Sequence, residues 1–156
     1  LSMAALVKPN KAPAQVILAE LAALDGLDPE WTDVREKSLP IAPEMYAVRQ
    51  LAYLPDVGQI SCYTEYYRML TEGLARDLTE ELTGNRAGFL DRKPELPLEP
   101  VSVPGTDGFW WAEENRTMAH DQFAVLRQGK QVLAIWYTGP TDLRTETAYL
   151  ASLLSD

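Results

Sequence analysis

The fifteen-residue stretch FAVLRQGKQVLAIWY, residues 123–137, constrains this chain more than any other. Two runs rich in branched and aromatic residues flank a glycine, and such runs fit a pleated surface. A glycine in a two-residue loop suits a β-hairpin. With Gln128-Gly129 as the loop, Val125 faces Val132, Phe123 faces Ala134, Asp121 faces Trp136 and His120 faces Tyr137. Gly139-Pro140-Thr141-Asp142 ends the hairpin. A helix from about Asp142 or Leu143 to Leu154, burying Leu143, Leu150, Leu153 and Leu154, follows by its spacing.

Upstream, Met45 to Tyr53 and Gln59 to Tyr67 read as two further strands about the turn signal Pro55-Asp56-Val57-Gly58. In the second, Ile60, Cys62, Thr64 and Tyr66 share one face, and Ser61, Tyr63, Glu65 and Tyr67 the other. Leu70, Leu74, Leu78 and Leu82 recur every four residues, which predicts a helix from about Thr71 to the stop at Gly84. Before the strands, residues 1–11 read as a loose lead-in. Pro13 to Leu24 reads as a helix, and Asp28-Pro29-Glu30 is a start signal for a short helix to about Glu36. Residues 85–107 carry Pro94, Pro97, Pro100 and Pro104, which break any helix and favour an extended crossing. The segment PELPLEP also has the spacing of a PxxP ligand, but the reading adopted is a stiff surface connection.

These elements run in the order α-(α)-β-β-α-β-β-β-α. Tight turns between sequential strands argue for antiparallel pairing, so the expected fold is α+β, one mainly antiparallel sheet of about five strands backed by helices. The 156 residues suit a single domain, large enough to bury a core without disulfides or metals.

Charge narrows the function. The net charge is −9, from 23 acidic and 14 basic residues. Such a field repels phosphate backbones and anionic membrane surfaces, and the densest basic spot is only Arg92-Lys93, so nucleic-acid binding is not expected. No apolar run is long enough to span a membrane. The chain begins Leu-Ser-Met, which suggests a processed product or a piece of something longer.

GFWWAEEN, residues 108–115, holds the most suggestive side chains. On a strand Trp110 and Trp111 point to opposite faces and form no joint platform. One joins the core, and the other lies beside Trp136 if the strands are neighbours. Trp110, Trp111, Trp136 and Tyr137 are the candidate contact residues for a protein, peptide or glycan ligand, because aromatics give much contact area with few rotors. Glu113 and Glu114 are the alternative acid/base residues of a small hydrolase. A glycosidase needs two carboxylates facing each other across a cleft, which neighbours on one strand do not provide. Either acid needs a partner such as Asp107 or Asp121, or else belongs to a solvated strand end before the turn at Asn115-Arg116.

Other chemistry finds little footing. His120 is the only histidine and Cys62 the only cysteine, too few for a zinc site. DGLDPE, residues 25–30, is too short for a calcium loop. No metal and no cofactor is expected. Nucleophile-elbow, P-loop and dinucleotide motifs are absent. Cys62, sharing a face with Ile60 and Tyr66, reads as a buried, inert thiol. Tyr63, Tyr66 and Tyr67, with Tyr46 and Tyr53, suggest a tyrosine-coated sheet face, a candidate surface for a homodimer.

Two stretches carry a resemblance. SLPIAPEMYAVRQ (38–50), with GLARDLTEEL (73–82) downstream, is one. FAVLRQGKQVLAIWYTGPTDL (123–143) with a terminal helix is the other. Together, over about a third of the chain, they resemble C-terminal regions of uncharacterised, membrane-anchored proteins of Gram-positive gut bacteria. The resemblance implies no activity. It implies an extracytoplasmic domain, tethered by a segment outside this sequence, with a cytoplasmic protein as the alternative. The reading reached is a non-catalytic binding domain. A carboxylate hydrolase and a structural domain that dimerises are the alternatives.

Overall fold

A computed structural model of the chain describes residues 31–37, 40–54, 58–84, 98–114, 120–152 and 154. Strict alternation makes the longest ladder: β2 (Glu44–Leu54) and β3 (Gly58–Arg68) pair without a break from Glu44↔Arg68 to Leu54↔Gly58. β1 (Trp31–Lys37) adds outside β2. α1 (Glu72–Gly84) follows β3. Its start is set by Thr71, whose hydroxyl accepts the Leu74 N–H at 3.1 Å, and by Glu72 in the first turn. A second meander comes next: β4 (Glu99–Pro100), β5 (Gly108–Glu114), β6 (His120–Gln128) and β7 (Gln131–Gly139). A 3-10 turn (Leu143–Glu146), capped by Asp142, leads into α2 (Thr147–Ser152).

All strands join one antiparallel sheet in the order β1-β2-β3-β7-β6-β5-β4. The fold is thus α+β about a single antiparallel sheet, with seven strands among the described residues where about five were expected. β1 is the first addition, and it corrects the expected short helix to Glu36. The Asp-Pro-Glu signal favours a helix locally, but Val34 finds Val48 directly opposite, and pairing with β2 overrides the local preference. β4 is the second, a two-residue strand inside the proline-rich crossing. Pro100 is tolerated there because β4 is an edge. The expected lead-in, the helix over Pro13–Leu24, the crossing before Leu98, the turn at Asn115-Arg116 and Leu153 lie outside the described residues.

Around β3, β7, β6 and β5 the sheet buries both faces. Over one lie the 3-10 turn and α2, where Leu143, Leu150 and Leu154 pack with Ile60, Phe109, Leu126, Leu133 and Ile135. Over the other lies α1, chiefly across β6 and β7, with Ala75 and Leu82 against Phe123, Val125, Val132 and Trp136. β7 is buried along almost its whole length. This explains why its sequence is a continuous apolar run and not an alternating one. The leucine stripe of α1 also needs correction. Leu70 precedes the helix and is 53% exposed, Leu74 and Leu78 are half-buried, and the buried side is Ala75, Thr79 and Leu82.

The β6–β7 register differs from expectation by two residues. Gln128 pairs with Gln131, so the loop is Gly129-Lys130, and Phe123 faces Trp136, Val125 faces Ala134, Asp121 faces Thr138 and His120 faces Gly139. The reason lies in the turn. Gly129 takes the left-handed φ of +58°, which a two-residue hairpin needs at its first loop position. Asp107 then accepts the Gly129 N–H at 2.7 Å. A slip of two keeps every side chain on its expected face, which is why the apolar pattern alone did not resolve it.

Candidate functional site

β5 sends its two tryptophans to opposite sides. Trp111 faces α2: it is 7% exposed, its Nε1–H donates to Gln122 Oε1 at 3.0 Å, and the Arg144 guanidinium lies 4.7 Å from its ring centre. Arg144 is itself steadied by Asp142 at 3.6 Å. Trp110 faces α1 and stays half-buried, opposite Val125 and Pro100. Its indole folds back along the strand onto Gly108, where any Cβ would overlap the ring. Covering a strand glycine with a neighbouring aromatic restores the packing that the missing side chain forgoes.

The hairpin aromatics divide the same way. Trp136 faces α1, stacked on Phe123 with ring centres 4.7 Å apart and tilted against Tyr63 at 5.3 Å. Tyr137 faces α2, its ring over Gly139, and its hydroxyl oxygen accepts the Thr141 N–H at 3.3 Å. The four candidate contact residues therefore share no surface. Trp110 and Trp136 line one core and Trp111 and Tyr137 the other, and only Trp110 keeps substantial contact with solvent. The tyrosines are divided too. Tyr63 and Tyr67 face α1, whereas Tyr66 faces α2 and stands opposite Tyr46, so no single face is coated.

The acids behave as strand neighbours must. Glu113 stands opposite Gln122 on the α2 side, while Glu114 stands opposite Asp121 on the other. The two glutamates do not face each other. Glu114 instead completes a polar row, Ser61–Thr138–Asp121–Glu114, running across β3, β7, β6 and β5. Asp121 is buried there and accepts the Thr138 hydroxyl at 2.8 Å.

Sequence reasoning passed over a third acid. Glu65 is 7% exposed, and each of its carboxylate oxygens accepts a phenol, Tyr63 at 2.7 Å and Tyr67 at 2.8 Å. Burial, and then the Glu65 charge beside it, push the Tyr67 phenol far above its ordinary value. The signal was present as an acid flanked at i−2 and i+2 by tyrosines, which a strand brings to one face. Two glutamines were passed over as well. Gln122 Oε1 accepts from Trp111 and from the Leu143 N–H at 2.7 Å, while its Nε2 donates to the Thr141 carbonyl at 2.6 Å. Gln131 accepts the Tyr66 hydroxyl at 2.8 Å and donates to the Leu154 carbonyl at 2.9 Å. Both tie the C-terminal turn and helix to the sheet, as buried amides must find partners.

Cys62 is buried, its sulfur 3.6 Å from the Thr64 hydroxyl. His120 lies on β6 opposite Gly139, whereas Cys62 reaches β6 through Tyr137 and Gln122. In sheet geometry the two backbones are about 12 Å apart, two strands over and two residues along. The register does not make them neighbours. Among the described residues no three of His, Cys, Asp and Glu gather closely enough to hold a metal ion, and no helix is long and apolar enough to cross a membrane. No family model, curated protein or solved structure matches the chain.

Proposed function

We propose that this chain is a non-catalytic binding domain, held outside the membrane, whose ligand contact centres on Trp110. One observation carries the reading. Of the four candidate aromatics, Trp110 alone is both anchored and partly open, pinned over Gly108 beside the edge strand β4. A ring already fixed in place loses little freedom on binding, and aromatics of this kind suit a peptide backbone or the apolar face of a sugar. The inward-turned polar groups support the same reading, because Gln122, Gln131, Asp121 and Glu65 all spend hydrogen bonds on internal partners. The resemblance of residues 38–50 and 123–143 to extracytoplasmic regions supports the location.

Peptide and glycan arrays probed with the full chain and with Trp110→Ala test it, with melting temperature followed by circular dichroism. The expected result is array binding that falls at least about tenfold in the variant, while the cooperative melt is retained. No binding by the unaltered chain, or undiminished binding by the variant, refutes the Trp110 contact.

The carboxylate hydrolase keeps one specific observation, the direct opposition of Glu114 and Asp121. A retaining glycosidase needs two carboxylates facing each other across a cleft, and this pairing is, among the described residues, the place in the sheet where two acids share a register position. Turnover of chromogenic glycosides by the full chain, lost in both Glu114→Gln and Asp121→Asn, would favour this reading over the first.

A further inference from the structure

We infer that the ligand held at Trp110 is a sugar bearing a single carboxylate, and that Arg127 supplies the counter-ion for it. The inference rests on the Trp110 contact proposed above and adds the chemical class of the ligand. Register places the two side chains together. Gly108 stands directly opposite Arg127, and the Trp110 ring covers Gly108. Residues opposite each other in a ladder share a face, with Cβ positions about 5 Å apart. The Arg127 side chain also reaches towards β5, since its Nη2 donates to the Asp107 carbonyl at 3.3 Å. The guanidinium therefore lies beside the indole.

Its charge is not matched from within the fold. The chain carries 23 acidic residues, yet among the described residues no carboxylate forms an ion pair with Arg127. The carboxylate of Asp107 accepts the Gly129 N–H instead, at 2.7 Å. A guanidinium has five N–H donors. Here the Asp107 carbonyl takes one of them, and the Nε is enclosed with no partner. Partial burial strengthens the pull of the charge on an anion, because less water screens it. A carboxylate answers a guanidinium with two parallel hydrogen bonds. The edge beside Trp110 favours a sugar over a peptide as the carrier of that carboxylate. An extended peptide binds by adding to a free strand edge. β4 offers little of one, being two residues long, with no N–H on Pro100 and the Val101 N–H already donated to the Phe109 carbonyl at 2.7 Å. A pyranose needs no backbone partner: it stacks on an aromatic ring, and a uronic or sialic acid carries its carboxylate on that same sugar ring, close enough for the guanidinium next to the indole. The net charge of −9 limits the ligand to one carboxylate, because the rest of the surface repels a polyanion.

A glycan array probed with the full chain tests this. It carries neutral oligosaccharides, the same chains ending in one hexuronic or sialic acid, the methyl esters of those acids, and polyuronates. The unaltered chain is expected to bind the acid-ended members at least about tenfold better than their esters and neutral parents. Arg127→Gln is expected to remove that preference with its melting temperature retained. Arg127→Lys is expected to keep part of it, since an ammonium holds the charge but lacks the planar fork. Equal binding of acid-ended, esterified and neutral members, or an undiminished preference in folded Arg127→Gln, overturns the role of Arg127 and leaves the Trp110 contact standing. Tighter binding of polyuronates than of single-acid chains overturns the single carboxylate. Binding to peptides with free C-termini on a parallel array, and to no glycan, overturns the sugar. An unaltered chain that binds neither array removes the Trp110 contact as well. Should Arg127→Gln fail to fold, the comparison of acids with their esters on the unaltered chain decides the matter.

Discussion

Single residues in this chain act through partners two positions away along a strand. Trp110 covers Gly108, Tyr137 covers Gly139, and Tyr63 and Tyr67 close on Glu65. The last arrangement has a pH consequence. The Tyr67 phenol titrates far higher in the folded chain than its ordinary value of 10.0, through burial first and the Glu65 charge second. The unfolded chain therefore releases this proton first as pH rises, so the fold keeps its full stability below about pH 10 and loses it progressively above. Urea unfolding between pH 8 and 11 should show this fall, and Tyr67→Phe should flatten it while lowering stability at neutral pH by about 1 kcal/mol for the lost hydrogen bond. A fall as steep in the variant would locate the effect in another tyrosine.

Elements are placed by their ends. Thr71 starts α1, Asp142 starts the 3-10 turn, and Gly129 with Asp107 sets the β6–β7 register. Gly129→Ala forces a side chain into the left-handed region, at a cost of about 1–2 kcal/mol. It should lower the denaturation midpoint accordingly, with the slope unchanged and the hairpin amides less protected from hydrogen exchange. A variant as stable as the parent would mean that the turn does not require the left-handed conformation. The residues that build these ends were visible in the sequence, but their assignments were not all so. Asp-Pro-Glu promised a helix that β1 replaces, because a local start signal is worth less than a ladder with β2. The hairpin was visible, and its loop was misplaced by one position, because a slip of two preserves the alternation that sequence reading depends on.

At the scale of the molecule, two antiparallel meanders meet along β3 and β7. From Tyr67↔Val132 to Cys62↔Tyr137 the seam runs through both cores, so neither meander buries its inner strand alone. Unfolding should accordingly be a single transition, with far-ultraviolet circular dichroism and tryptophan fluorescence tracing one curve against urea. Separate midpoints would mean that the meanders unfold independently. The candidate site was less legible than the fold. That Trp110 and Trp111 diverge, as do Glu113 and Glu114, follows from strand periodicity. Which tryptophan remains open, and that Glu114 rather than Glu113 stands opposite Asp121, depends on neighbours 7 to 15 positions away in the chain.

What the sequence determined by itself is local and periodic: which runs are extended, which faces their residues take, and where α1 lies. Alternation carries that information because side-chain direction is a property of a strand before it has neighbours. Tertiary structure alone decided the order of the strands, the seam between β3 and β7, the recruitment of β1 and β4, and the inward turn of Glu65, Gln122 and Gln131. Those outcomes rest on contacts between residues far apart in the chain, where burial and hydrogen-bond completion outweigh local preference.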